Sequence, residues 1–309
     1  MEQKDILVTG GCGFIGSRLC EELVSQDHSV FVADETSFGS WSFTSGEVQR
    51  VYECDLIEED SVHRVLEDIR PDVIYHLAAR SDVRSDSVGV NQFTYNTGIT
   101  GNIIKFSHEF GNPDIYFTSS STVYGHPDEI PVDESCKLNP ISYYGSGKIG
   151  SESLLQTYKN QTEGDVKIFR LANIIGPNLR GAVIPDFIQK LCDNPEELEI
   201  LGNGKQMKSY MHVDDCVKAM LDVTDSDATT VNIGTETTTK VDKIADIVSD
   251  IMGLNPSYNY TGGCQGWTGD VPEIKMDVSR MKSVGYSPDM GSDEAVRKAT
   301  KELVREIRD

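Results

Sequence analysis

Tyr144 and Lys148 stand four residues apart in Pro140-Ile-Ser-Tyr-Tyr-Gly-Ser-Gly-Lys148, a spacing that puts both side chains on one face of a helix. A phenol titrating near about 10 is a poor base at neutral pH. An ammonium beside it favours the phenolate, each tenfold change in that balance being worth about 1.36 kcal/mol. A neighbouring hydroxyl could complete a proton path. Ile115-Tyr-Phe-Thr-Ser-Ser-Ser-Thr-Val-Tyr-Gly125 offers several at the end of an apolar run, and its spacing to Tyr124 selects Ser120. By itself a Tyr-x-x-x-Lys pair is more often a solvated helix face, and Ser119, Ser121 and Tyr124 could equally be local turn-formers.

A second constellation sits at the N-terminal end. Residues 6–16, Ile-Leu-Val-Thr-Gly-Gly-Cys-Gly-Phe-Ile-Gly, place Gly10, Gly13 and Gly16 between an apolar strand and an amphipathic run. This spacing makes a tight turn, lets backbone N–H groups approach a pyrophosphate, and packs the following helix close to the strand. Glycines alone would also fit a turn that binds nothing. The next apolar run, Ser29-Val-Phe-Val-Ala-Asp34, ends in an acid about 20 residues on, where a carboxylate can accept both adenosine ribose hydroxyls and repels a 2′-phosphate. NAD rather than NADP is the expected cofactor, since no arginine stands directly beside Asp34 in the sequence. A third run ends in Cys54-Asp55-Leu56, with Asp55 placed to reach the adenine edge. Strand-end acids or helix caps are the plainer alternative for Asp34 and Asp55.

Elements able to hold these groups alternate along the first half. Short β-branched runs predict strands near 4–9, 29–34, 49–54, 72–76, 114–119 and 165–171. Helical patterns fall at about 14–26, 58–69, 90–110 and 140–161, the second opening with the acidic Glu58-Glu59-Asp60. The expected fold is α/β, a Rossmann-type doubly wound parallel sheet with a smaller C-terminal α/β substrate lobe. Residues 1–176 would be mainly the dinucleotide-binding domain and 177–309 mainly the lobe, with 228–252 returning to the sheet as a strand (228–233) and a helix (240–252).

At 309 residues and 38% hydrophobic content, the chain can bury a full core without disulfides or metals. Its cysteines (Cys12, Cys20, Cys54, Cys136, Cys192, Cys216, Cys264) are odd in number and never spaced Cys-x-x-Cys, which predicts reduced thiols and no metal site. Met1-Glu-Gln-Lys-Asp5 has no basic or long apolar leader, and no apolar run approaches a bilayer's thickness. A cytoplasmic enzyme without a membrane or nucleic-acid partner is expected. The 50 acidic and 28 basic residues give a formal charge of −22, which repels phosphate backbones. Solubility and a high-salt milieu account for that surface equally well.

In order and content these pieces resemble the extended short-chain dehydrogenase/reductase family, in particular its nucleotide-sugar epimerases and dehydratases. The resemblance spans nearly the whole chain. It rests on Thr9-Gly-Gly-Cys-Gly-Phe-Ile-Gly16, Asp34, Asp55-Leu56, His76-Leu-Ala-Ala79, Ser119-Ser-Ser-Thr-Val-Tyr-Gly125, Pro140 to Lys148, Arg170 to Pro177, and Tyr210-Met-His-Val-Asp-Asp215. It implies a tightly held NAD against Gly10, Gly13, Phe14, Ile15, Gly16, Asp34, Asp55, Leu56, Leu77, Ala78, Ala79, Asn96, Tyr144 and Lys148. Tyr144 would be the base, Lys148 would bind the nicotinamide ribose and lower the tyrosine pKa, and Ser120 would hydrogen-bond the reacting oxygen. The substrate, a nucleoside-diphosphate sugar, would meet Ser120, Ser121, Asn173, Val183, Lys208 and Trp267. The resemblance further implies a homodimer formed through the helices near 90–110 and 140–161.

Within that family the dehydratases carry an acid pair after the serine position, and the decarboxylases tend to carry its glutamate; here Ser121 and Thr122 stand there. Lacking a proton donor and acceptor for elimination, the chain is expected to epimerise at C4, as UDP-glucose 4-epimerases do. Another NAD-dependent nucleotide-sugar reaction, or an NAD(H)-binding regulator without activity, are the alternatives. Family members clamp the diphosphate with two arginines, and Lys208 and Trp267 take those positions here, with Arg180 or Lys205 as other sources of charge. Ile274 falls near the family's sugar-size gate. His76, His212, Asp214 and Asp215 read as structural.

Overall fold

The computed structural model describes residues 3–36, 48–81, 89–267 and 269–308. They form two compact units, one of residues 1–123, 142–170 and 224–231, the other of 124–141, 171–223 and 232–309. In chain order the elements are β1 (Asp5–Thr9), α1 (Phe14–Ser25), β2 (Ser29–Asp34), β3 (Arg50–Glu53), α2 (Glu59–Ile69), β4 (Val73–His76), α3 (Gly89–Ser107), β5 (Asp114–Ser120), α4 (Tyr143–Gln161) and β6 (Val166–Leu171). There follow β7 (Asn173–Ile175), α5 (Val183–Asp193), β8 (Glu197–Ile200), β9 (Met207–Lys208), β10 (Tyr210–His212), α6 (Val213–Thr224) and β11 (Thr230–Ile233). The last are β12 (Thr239–Lys240), α7 (Val241–Met252), β13 (Ser257–Tyr260), β14 (Glu273–Ile274), α8 (Ser279–Ser283) and α9 (Ser292–Arg308).

The main sheet has the order β11-β6-β5-β4-β1-β2-β3. Its β3–β2, β2–β1, β1–β4 and β4–β5 pairings are parallel, with Thr9 opposite both Ala33 and His76. Strand order reverses beside β1, so a crevice opens at the C-terminal ends of β1 and β4, where doubly wound sheets take their ligands. Strands β4 and β6 are buried along their whole length, β6 including the charged Lys167 and Arg170. In α2, Val62, Val65, Leu66 and Ile69 are buried at helical spacing and meet Leu7, Ile74, Ile115 and Phe117 in one core. Burying each such side chain contributes about 1.5–3 kcal/mol.

Two helix boundaries differ from the sequence pattern, each for a local reason. Helix α4 begins at Tyr143 rather than near 140, because Ser142 is extended and its Oγ caps the helix by accepting from Gly145 N at 3.1 Å. Helix α3 ends at Ser107, after which Gly111 (φ 100°) and Asn112 (φ 53°) turn the chain into β5. Helices α3 and α4 approach closely over small residues. A Cβ on Gly147 would lie 3.3 Å from Phe93 Cα, so the backbone of α4 sits where a larger residue would push it away.

In the second unit, α5, α7 and α9 bury Ile184, Phe187, Ile244, Val248, Ala295 and Leu303 with Tyr210 and Ile175. Parallel pairs β7–β10 and β8–β13 and the small sheet β12-β9-β14 complete it. The strand of the expected return joins the sheet as β11, whereas helix α7 packs on α5 and α9. Tyr124, used in the sequence to locate Ser120, is fully buried and donates to Asn232 Oδ1 at 2.6 Å. No helix among the described residues is long and apolar enough to cross a membrane.

Candidate active site

The turn after β1 is built so that nothing but glycine fits at two of its corners. Gly10 has φ 72°, and a Cβ on it would lie 2.7 Å from Ala78 N. A Cβ on Gly16 would lie 2.2 Å from Gly10 O, so α1 rests directly on the turn. No side chain caps α1 at Gly13 and no acid stands in its first turn, which leaves the leading N–H groups of Phe14, Ile15 and Gly16 suited to an anion. Asp34 closes the far side: Oδ2 accepts Cys12 N and Oδ1 accepts Thr36 N, both at 2.9 Å, with lone pairs to spare for hydroxyl donors. The residues therefore fit a dinucleotide laid across the turn.

Its neighbours are arranged around the same strand ends. Asp55 Oδ1 accepts Ile57 N and the Tyr95 hydroxyl, both at 2.9 Å, and Leu56 is buried in the core beneath it. Leu77 N donates to Thr9 O at 3.0 Å and Ala78 N to Thr9 Oγ1 at 3.4 Å, which fixes the strand leading into Ala79. Asn96 and Arg80 exchange side-chain-to-backbone bonds of 2.9 and 3.2 Å. Spacing gave no sign of Arg80, whose guanidinium lies 3.7 Å above the Tyr95 ring and 3.8 Å from Glu35, the residue next to Asp34. Glu35 also accepts from the Tyr95 hydroxyl, so the arginine is held by a carboxylate.

Ser120, Tyr144 and Lys148 come together at the end of β5. Lys148 is buried, donates to Thr118 O at 2.7 Å, and lies 4.6 Å from the Phe117 ring and 5.6 Å from the Tyr144 ring. Burial lowers its pKa to about 7, against the opposing pull of Glu152. Tyr144 is raised to about 12 by desolvation, opposed by a hydrogen bond with Ser120. Ser120 Oγ accepts from Thr122 N at 3.2 Å and from the Thr122 hydroxyl at 3.0 Å, leaving its own proton to donate to Tyr144. Thr122, read in the sequence as a missing acid, thus orients the serine. Ser121 is buried beside it.

Behind this strand end lies a buried network that sequence reasoning missed. Glu152 Oε2 accepts Arg170 Nη2 at 2.8 Å, and its Oε1 accepts Arg170 Nε at 3.1 Å and Ser119 Oγ at 2.5 Å. The one signal available was spacing, since Tyr144, Lys148 and Glu152 recur every four residues. His76 is fully buried between Thr9 Oγ1 (2.8 Å) and Thr100 Oγ1 (3.0 Å), and burial lowers its pKa to about 3.

Asn173, Val183, Lys208 and Trp267 belong to the second unit. Asn173 Nδ2 donates to Ser209 O at 3.2 Å, and Val183 opens α5. Lys208 and Trp267 are adjacent, the ammonium 4.9 Å from the indole ring and 2.5 Å from Asp270 Oδ1. Asp270 also takes Gly266 N at 2.9 Å. His212 bonds Glu302 at 2.8 Å, Asp214 bonds Lys298 at 2.9 Å, and Asp215 accepts the Tyr286 hydroxyl at 3.0 Å. Those contacts brace α6 against its neighbours.

Comparison with known proteins agrees with this geometry. Residues 6–234 match the NAD dependent epimerase/dehydratase family. A putative UDP-glucose 4-epimerase of Methanocaldococcus jannaschii is 30% identical over 95% of this chain and 96% of its own. A UDP-glucuronic acid decarboxylase 1 of Xenopus tropicalis is 26% identical over 99% of this chain and 73% of its own. A crystal structure of a UDP-galactose 4-epimerase superposes with TM-score 0.88 at 35% identity, covering 98% of this chain and 99% of that one. With a glycine turn and strand-end acid fitted to a dinucleotide, and a match over most of its length, the chain belongs to the NAD-dependent epimerase/dehydratase family of nucleotide-sugar enzymes.

Proposed function

We propose that the protein epimerises a UDP-linked hexose at C4, of the UDP-glucose/UDP-galactose type, by transient oxidation to the 4-keto sugar. The observation that carries this reading is the makeup of the β5 end. Ser121 and Thr122 follow Ser120, and the carboxylate behind the strand, Glu152, is committed to Arg170 and Ser119. Dehydration and decarboxylation call for an acid–base group at the sugar that these residues do not offer. Epimerisation needs one base that returns its proton.

Bound NAD would supply a reversible hydride acceptor. Tyr144 takes the C4 hydroxyl proton as that carbon is oxidised and gives it back after the sugar has turned over. Ser120, held by Thr122, donates a hydrogen bond to the reacting oxygen or to the phenolate. Lys148 supplies the positive charge that makes a phenolate accessible at neutral pH. Gly10, Gly13 and Gly16 admit the pyrophosphate, with Asp34 on the adenosine ribose. Asn173, Val183, Lys208 and Trp267 are assigned to the nucleotide end.

We further assign the protein to the cytoplasm as a homodimer through α3 and α4. Val90, Tyr143 and Leu154, exposed apolar side chains on those two helices, support that assembly, and light scattering tests it.

The deciding experiment incubates the purified protein with UDP-glucose, UDP-galactose and their N-acetyl forms and follows products by NMR. Interconversion without added NAD supports the reading. A 4-keto-6-deoxy or decarboxylated product replaces it with one of the related reactions, and absence of any turnover with NAD bound points to a regulator.

A further inference from the structure

Three consecutive residues at the end of β5 each hold a different residue of one face of α4. Thr118 O takes the Lys148 ammonium, Ser119 Oγ donates to Glu152, and Ser120 lies close enough to Tyr144 to oppose the desolvation of its phenol. The α4 residues are spaced i, i+4, i+8, so a single face of the helix lies against this strand end. Glu152 and Arg170 are both almost fully buried and joined by two bonds. Burying such a pair is costly, and apolar residues of like volume often stabilise a fold as well. Stability alone is therefore a weak reason for the pair to sit there.

We propose that Glu152 is a positioning residue whose carboxylate, fixed by Arg170 and Ser119, holds Lys148 in its charged form and so sets the proton balance of the Tyr144–Lys148 pair. The groups facing Lys148 are Tyr144 and Glu152 on its own helix, the Thr118 carbonyl and Phe117 ring on β5, and His76 on β4. His76 is neutral, and Arg170 on β6, bonded to the Glu152 carboxylate, offsets part of its field without cancelling it, since Glu152 still opposes the desolvation of Lys148. Glu152 lies one helical step from the ammonium and two from the phenol, so it favours the ammonium–phenolate form over the amine–phenol form.

Removing that negative charge has two separable effects. The pair gives up its first proton at lower pH, because an anion no longer holds it. Within the singly deprotonated pair, the ammonium–phenolate form becomes rarer. The inference rests on Tyr144 acting as the base, and its test is chosen to stand apart from that assignment.

The experiment compares wild type with Glu152→Gln, which keeps the shape of the side chain, and with Glu152→Asp. The double variant Glu152→Gln/Arg170→Gln avoids leaving the Arg170 guanidinium buried without its carboxylate and serves if the single variant does not fold. Lys148 is titrated by NMR of protein carrying carbon-13 at lysine Cε, its signal identified by its loss in Lys148→Arg. In Glu152→Gln, Lys148 should titrate about one pH unit lower. The acid limb of the kcat profile should move the same way, kcat at neutral pH should fall about tenfold, and KM should stay within about twofold. Glu152→Asp should restore both pH positions. A Lys148 titration and pH limbs that superimpose on wild type, even with lower kcat or Tm, would overturn the proposal and leave Glu152 as packing. If no nucleotide sugar is turned over, the proposed function fails while the lysine titration still decides the role of Glu152.

Discussion

Lys148 Nζ lies 5.6 Å from the centre of the Tyr144 ring and is anchored on Thr118 O at 2.7 Å. Desolvation moves the two in opposite directions, Tyr144 up to about 12 and Lys148 down to about 7, because each would otherwise carry a lone buried charge. Forming phenolate and ammonium together offsets both costs. Tyr144→Phe should therefore lower kcat by about 10³-fold and leave bound NAD unchanged, measured by NMR turnover and cofactor absorbance. Lys148→Met removes the cation that favours phenolate, so its remaining activity should need higher pH.

Thr122 donates twice to Ser120 Oγ, through its backbone N–H and its hydroxyl. Thr122→Val keeps the first bond and loses the second, freeing the serine to rotate. Its kcat should fall roughly tenfold with KM unchanged, whereas Ser120→Ala, which removes the donor to the reacting oxygen, should cost about 10²-fold. Equal losses in the two variants would mean that Thr122 itself reaches the substrate.

The parts of this site that were legible in the sequence are those fixed by local spacing. The glycine turn and Asp34 lie within one β1–α1–β2 unit and the Tyr144–Lys148 step within one helix, where local periodicity sets direction. Partners brought from elsewhere were not legible. Glu152 and Arg170 are 18 residues apart on a helix and a strand, and Lys208 and Asp270 are 62 apart. Ser119 could pass for a turn residue because nothing local shows that its hydroxyl faces a buried carboxylate. Strands β9, β12 and β14 have two residues each, too few for any alternation to register. The helix α7 was visible as an amphipathic run, but its apolar face does not say which neighbour covers it.

His76 should make the fold acid-sensitive. Its Nε2 faces Thr100, whose own proton is directed to Asn96 O at 3.0 Å, and its Nδ1 accepts from Thr9, so the neutral ring satisfies every partner. Burial depresses its pKa to about 3, below an unfolded value near about 6.5. In that window the unfolded chain binds a proton that the folded chain does not, so stability present above pH 6.5 is lost as pH falls toward 3. Between pH 6.5 and 5 the loss from this group should be about 2 kcal/mol. Urea denaturation of wild type and His76→Gln at both pH values checks it, the variant lacking that share of the loss.

Asp34 uses one carboxylate oxygen for Cys12 N and the other for Thr36 N. Asn at this position has a single oxygen, so one of the two N–H groups would face an amide NH₂. Asp34→Asn should cost about 1–3 kcal/mol of stability by denaturant titration. It should also weaken NAD about tenfold by loosening the turn and losing a charged acceptor for the ribose hydroxyls. Retention of full NAD affinity would place the ribose elsewhere.

Lys208 is not the free cation that a diphosphate would seek. Its ammonium is 2.5 Å from Asp270, which also holds the Gly266 N–H, and the Trp267 ring lies 4.9 Å away, so the cluster carries no net charge. A substrate diphosphate approaching here would compete with Asp270 for the lysine and gain little from the indole. Trp267→Arg adds a guanidinium with a bidentate fork that no carboxylate of the cluster is already using. KM for a UDP-sugar should then fall about three- to tenfold with kcat little changed. The gain should shrink as salt rises from about 0.1 to 1 M, where the screening length drops from roughly 10 to 3 Å. A higher KM in that variant, insensitive to salt, would show instead that the indole itself packs against the substrate.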